Sequence, residues 1–156
     1  MTNLRSRTVR AGDLAAPYPT VQLDTPAIEA ARLLAGQDLP GLIVLDAKGY
    51  PFTVLAGTQV LRMAIPQYCQ DDPALARVID EQAADLFLRE LGDRTVAQTL
   101  PGHNRDLAVV ASDATALEMA ALMARTGVPL VAVVDKLKTL VGAVTLDALL
   151  DRLLAE

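Results

Sequence analysis

The stretch GAVTLDALL, residues 142–150, passes from a strand-like pattern into a helical one, with Thr145 and Asp147 at the join. A hydroxyl and a carboxylate at such a place are the groups that cap a helix, and the same corner can hold a ligand. Other chemistries are poorly supplied. His103, the single histidine, stands in the polar run PGHNRD with no second histidine or cysteine nearby to complete a metal set. Cys69, the single cysteine, lies in QYCQDD, whose acids oppose the thiolate that a nucleophile requires. The carboxylates of DEQAAD, residues 80–85, are spaced as a solvated helix face. Neither a glycine-rich phosphate loop nor a nucleophile elbow is present in the sequence. Little supports an enzyme.

The composition narrows the classes further. In 156 residues, 52% are hydrophobic but only 3% are aromatic, with no Trp, so the core must be built from Leu, Val, Ala and Ile. A net charge of −5 argues against nucleic acid as the main partner, because phosphate binding calls for a basic surface. Arg5, Arg7 and Arg10 read as a solvated arm. One cysteine allows no intrachain disulfide. With no secretory h-region and no apolar run near the ~20 residues that span a bilayer, the expected location is the cytoplasm.

The elements that position the Thr145 join emerge from an internal repeat. Shifted by 89 positions, VQLDTPAIEAARLLA (21–35) falls on VASDATALEMAALMA (110–124). Without a gap, Pro40 then meets Pro129, Val44 meets Val133, Asp46 meets Asp135 and Leu61 meets Leu150. Each copy predicts a short strand (20–23, 108–111) and then a helix. Thr25 with Pro26 caps the first helix; Asp113 or Thr115 caps the second, with Thr115 and Glu118 at capping-box spacing. The expected apolar faces are Ile28, Ala31 and Leu34, and Leu117, Ala120 and Met123. LPGLIVLD and VPLVAVVD read as strands apolar on both sides, as in a sheet covered by helices. A turn, a second strand (PFTVLA, LVGAVT) and a closing helix from Gly57 or Leu146 complete the order β-α-β-β-α, twice. Between the copies, Asp72 as cap, Pro73 and Gly92 bracket an extra helix, whose Leu75, Val78, Ile79, Leu86 and Phe87 form a face to be buried.

This tandem α+β plan, the apolar-proline pairs Leu39-Pro40 and Val128-Pro129, VGAVTLDALL, and the Thr-Val pairs at 8–9 and 95–96 together resemble the CBS domain. Two copies look like a CBS pair, or Bateman module, of the stand-alone bacterial type, with pseudo-two-fold symmetry. The repeats span 8–66 and 95–156, joined by a helical connector at 67–94. The resemblance implies a regulatory, ligand-sensing module without catalytic residues, metal or required cofactor. It implies an adenosine-containing ligand, such as AMP, ADP, ATP or S-adenosylmethionine, in the cleft between the repeats. It also implies a homodimer acting on a separate transporter or enzyme.

The family's ligand motif is G-h-x-Thr/Ser-x-x-Asp at the strand-to-helix join. There, hydroxyl and helix N–H groups meet phosphate, and the carboxylate accepts from ribose. Gly142 and Thr145 fit it, but the Asp position is Ala148, and Asp147 stands one residue early, about 100° around a helix. In copy one, Thr53, Ala56 and Gln59 occupy the glycine, threonine and aspartate positions. By position, Tyr18, Leu39, Pro40, Val110, Val128 and Pro129 would wall the adenine, with Gln59, Thr145 and Asp147 as polar partners. The alternative is a dimeric structural or protein-interaction module with a degenerate cleft, in which Thr145 and Asp147 only cap a helix.

Overall fold

The computed structural model describes residues 9–79, 81–100 and 108–155. Arg5, Arg7, Thr8, Asp80, His103 and the side chain of Phe87 lie outside the described residues. Copy one comprises α1 (Ala11–Leu14), β1 (Thr20–Gln22), α2 (Ala27–Gly36), β2 (Gly41–Leu45), β3 (Pro51–Ala56) and α3 (Gly57–Ala64). The connector holds α4 (Gln67–Asp71), α5 (Pro73–Val78) and α6 (Glu81–Leu91). Copy two comprises α7 (Val96–Thr99), β4 (Val109–Ala111), α8 (Ala116–Thr126), β5 (Leu130–Val134), β6 (Leu140–Thr145) and α9 (Leu146–Leu154).

Each copy forms a three-stranded sheet, β1-β2-β3 or β4-β5-β6. The first pair is parallel and the second antiparallel, with a register shift at Val44/Leu45 and again at Val133/Val134. The matched aspartates are explained by the hairpin turns. Asp46 Oδ1 accepts from the Lys48 and Tyr50 N–H groups at 2.9 and 3.0 Å, and Asp135 Oδ1 accepts from Leu137 and Thr139 at 2.8 and 3.0 Å. A short carboxylate holding two turn N–H groups is the Asx-turn solution.

Burial separates the two faces of each sheet. Leu42, Val44 and Leu55 pack under α2 and α3, and Val131, Val133 and Val144 pack under α8 and α9. The opposite faces meet each other, through Ile43, Val54, Ala108, Leu130, Ala132 and Ala143. The strands are thus apolar on both sides because one face takes helices and the other takes the second sheet, not because helices cover both. Across this shared cluster, equivalent positions trade bulk: Leu130 answers to Gly41, Ile43 to Ala132, and Val54 to Ala143. Large against small keeps the seam between two like sheets dense.

The lead-in of each copy completes the other copy. The Ala11 N–H donates to Ala114 O (2.9 Å) and Gly12 to Ser112 O (2.8 Å); Val96 donates to Thr25 O (2.8 Å) and Ala97 to Leu23 O (2.9 Å). The bridges Arg10–Thr115 and Pro26–Thr95 sit at matching places. Equivalent lead-in positions are therefore Arg10 and Thr95. The two Thr-Val pairs suggest a different register, set by local identity rather than by the bridges. Ala16 then pairs with Ala143 in both directions, at 3.0 and 2.9 Å. Gly142 permits this approach, since a Cβ there would lie 2.5 Å from Ala16 O.

Several local expectations are corrected. α2 begins at Ala27 with Pro26 as its N-cap, and Thr25 Oγ1 instead accepts from the Gln22 N–H at 2.9 Å. The Thr115–Glu118 box forms as expected. The buried stripes are Ala27, Ala30 and Leu34, and Met119, Leu122 and Met123, whereas Leu117 is 77% exposed. Both helices are apolar over more than one face, so periodicity alone misjudged which face meets the sheet. The connector is not one helix. Asp72 caps α5 through the Ala74 N–H (3.0 Å), but Ile79 is extended, with ψ 131, and ends it. The break divides the expected apolar face, leaving Leu75, Val78 and Leu86 exposed while Leu91 enters the copy-one core.

Candidate functional site

The seam between the copies gathers part of the expected ligand set. Tyr18 and Val128 pack on the cluster shared by the two sheets. The Tyr18 hydroxyl donates to Gly41 O at 2.7 Å, beside Pro40. Pro40 and Pro129 line one cleft of about 620 Å³. Pro129 O accepts from the Leu146 N–H at 2.9 Å, which ties the Thr145 join to the seam; Pro40 O accepts from Gly57 at 3.5 Å in the equivalent place. Pro40 and Pro129 thus share the larger cleft and Val128 and Pro129 the second, while Tyr18 and Thr145 line neither and approach the prolines only through Gly41 and Leu146.

The remaining candidates stand apart from the seam or are engaged locally. Leu39 packs on the copy-one core and Val110 on the copy-two core. Gln59 Oε1 accepts from the Ala56 N–H at 2.8 Å, so Gln59 supplies the cap that alanine cannot. Thr145 Oγ1 accepts from the Ala148 N–H at 3.2 Å and caps α9, leaving its own proton available to donate. Asp147 is exposed in the first turn of α9 and lines neither cleft described here. Ala148 packs on the copy-two core, where a carboxylate would lose solvent.

The helix walls of two apolar clefts were not foreseen from the sequence. The first lies between α2 and α3, with Ala31, Leu34, Ala35 and Leu61 in its walls. The second, about 460 Å³, lies between α8 and α9, walled by the equivalent Ala120, Met123, Ala124 and Leu150. Gly127 and Pro129 border both. The signal was present in the second apolar side of the repeat helices, which the stripe Ile28, Ala31, Leu34 had assigned to the core.

Burial of Tyr18 holds its phenol above the ordinary value of 10.0. The folded state thus disfavours the phenolate. That contribution to stability is present below about pH 10, where the unfolded phenol is also neutral, and is lost as pH rises through the folded pKa. Tyr18→Phe is expected to cost about 0.5–1.5 kcal/mol near neutrality through the lost hydrogen bond. Its urea midpoint should fall less steeply above pH 10 than that of the wild type.

Among the described residues no group of His, Cys, Asp or Glu is arranged to hold a metal ion, and no helix is long and apolar enough to cross a membrane. What the fold defines is a tandem α+β module whose halves complete one another around a shared seam. The comparisons place that module in a family. The CBS domain profile matches residues 99–155. A CBS domain-containing protein of unknown function from Kribbella flavida is 48% identical, with a TM-score of 0.77, covering 94% of this chain and 99% of that one. The chain belongs to the CBS domain-containing proteins. The cytosolic domain of the Mg2+ channel MgtE, solved in complex with ATP, is 25% identical with a TM-score of 0.59, covering 92% of this chain and 48% of that one. CBSX2, solved in complex with AMP, shares the fold at 19% identity and a TM-score of 0.65, covering 94% and 96%. No curated protein sequence matches the chain.

Proposed function

We propose that this chain is a non-enzymatic, cytoplasmic regulatory CBS pair that binds an adenosine-containing ligand at the seam, as a homodimer, and modulates a separate transporter or enzyme. The observation that supports the reading is that Pro40 and Pro129, one from each repeat, line a single cleft, with Tyr18 and the Thr145 join held next to them through Gly41 and Leu146. The ring of Tyr18 and the apolar walls of Val128 and the two prolines suit a flat base. The free proton of Thr145 suits a ligand oxygen. AMP, ADP, ATP and S-adenosylmethionine share the adenosine that this surface would take, and the MgtE complex with ATP supports the class. The second reading, an interaction module with a degenerate cleft, draws on Ala56 and Ala148, which stand where the family has Thr or Ser and Asp. The homodimer is supported by the apolar faces of α3 and α9, where Leu61, Leu146, Leu150 and Leu153 are 39–55% exposed in the single chain.

A thermal-shift series with the four ligands tests the first reading. A ligand at 100 times its Kd stabilises the fold by about 2.7 kcal/mol, or roughly 5–10 °C for a domain of this size. No shift with any of them at millimolar concentration would leave the interaction module. Thr145→Ala removes the cap, at a cost of about 1 kcal/mol, and is expected to reduce the ligand-induced shift as well. A full shift from the lowered baseline would place Thr145 outside the site.

A further inference from the structure

We infer that the connector between the repeats carries a docking surface, centred on α5, for a basic amphipathic helix of a separate protein. The inference deepens the reading that the chain modulates another protein, and it does not require adenosine binding. α5 is a helix of 6 residues, Pro73–Val78, with no buried residue. Every position in it is exposed, Leu75 at 41% and Val78 at 77%. Helices this short are marginal in water and take most of their stability from packing an apolar face. Within the chain α5 buries no such face, and Asp72 at its N-cap satisfies only the Ala74 N–H. Leu75 and Val78 are three apart and so share one side of the helix. The next helix repeats the pattern, since Leu86, 55% exposed, lies on the side of α6 that carries exposed Gln82 and Arg89.

The charge around these residues selects the occupant. Asp71, Asp72, Asp80, Glu81 and Asp85 stand against Arg77 alone, so residues 71–85 hold a net −4 of the chain's −5. The remainder of the chain is nearly neutral, and the charge therefore marks the connector. A second copy of the same surface would set like charges against each other. Nucleic acid and an anionic bilayer would be repelled in the same way. A helix with lysines or arginines flanking an apolar stripe matches both features. Its stripe covers Leu75 and Val78, and its cations meet the acids. An amphipathic helix laid by its apolar side on an apolar surface is a recurrent mode of recognition.

The test uses a dye-labelled peptide of leucine and lysine, its leucines at helical spacing, titrated with the full chain and followed by fluorescence anisotropy. Saturable binding is expected, weakening as salt is raised. The matching peptide with glutamate for lysine should bind at least about tenfold more weakly. Leu75→Ser with Val78→Ser should weaken the lysine peptide at least about tenfold, as loss of central apolar anchors does. Both side chains are exposed, so the urea midpoint of this variant should not move. Leu117→Ser with Leu137→Ser, at positions 77% and 78% exposed in repeat two, is the control and should leave binding unchanged. Hydrogen exchange at the α5 amides should slow when the peptide is bound. Failure of the lysine peptide to bind, equal binding of the glutamate peptide, equal loss from the control pair, or unchanged exchange in α5 would each overturn the surface. Self-association that disappears with Leu75→Ser and Val78→Ser would make the occupant a second copy and overturn it as well. AMP titration separates this inference from the sensor reading: a chain that binds AMP but not the peptide lacks only the docking surface, and one that binds the peptide without AMP retains it.

Discussion

Gly142→Val is expected to lower stability by about 2–6 kcal/mol, read as a shift in the urea midpoint. The new side chain begins with a Cβ only 2.5 Å from Ala16 O and 2.9 Å from its carbonyl carbon. Those atoms are backbone and cannot rotate aside. Overpacking of this kind costs about 1–3 kcal/mol. Displacing Ala16 also breaks both hydrogen bonds to Ala143, each worth about 0.5–1.5 kcal/mol. Against a typical total of about 5–15 kcal/mol, the loss is severe. Gly36→Ala is the control. No atom lies within 4 Å of a Cβ there, and removing a glycine from a helix should be neutral or stabilising by about 0.5–1 kcal/mol. A Gly142→Val protein with an unchanged midpoint would mean that the lead-in is not held by its pairing with β6.

Leu130→Ala should cost about 2–5 kcal/mol, by lost transfer energy and by the cavity left behind. Leu130 is fully buried in the cluster shared by the two sheets. Its pseudo-symmetric counterpart is Gly41, so repeat one offers no bulk at the equivalent position to fill the void. The damage should reach both repeats, and the chain should still unfold in one transition, since each lead-in is docked on the other copy. Leu137→Ala, at a turn residue 78% exposed, should stay within about 0.5 kcal/mol of wild type. Equal costs at the two positions, measured by denaturant titration, would contradict the placement of the shared core.

Much of this fold was legible because local chemistry repeats with it. Pro40 and Pro129, Asp46 and Asp135, and the apolar strands each serve the same local purpose in both copies, so their spacing carried the β-α-β-β-α order. The docking of α1 on copy two and α7 on copy one was not legible. It joins residues far apart in sequence through backbone groups that carry no side-chain signature. The helix faces misled because α2 and α8 are apolar toward both the sheet and the groove, and periodicity cannot rank two apolar faces. The connector misled because Asp72, Pro73 and Gly92 mark ends correctly while nothing in ARVID announces the extended Ile79. Among the candidate residues, Pro40 and Pro129 share a cleft, and Tyr18 and Val128 pack on the cluster shared by the two sheets. Gln59 was harder to place, since a side chain that could reach a ligand is equally able to cap its own helix.

The most direct measurement is a calorimetric titration of AMP into the wild-type chain. The expected result is a saturable heat with no more than one or two sites per chain, abolished or much weakened by Thr145→Ala while the variant remains folded. The absence of any heat with AMP at millimolar concentration, repeated with ATP and S-adenosylmethionine, would contradict adenosine binding at the seam.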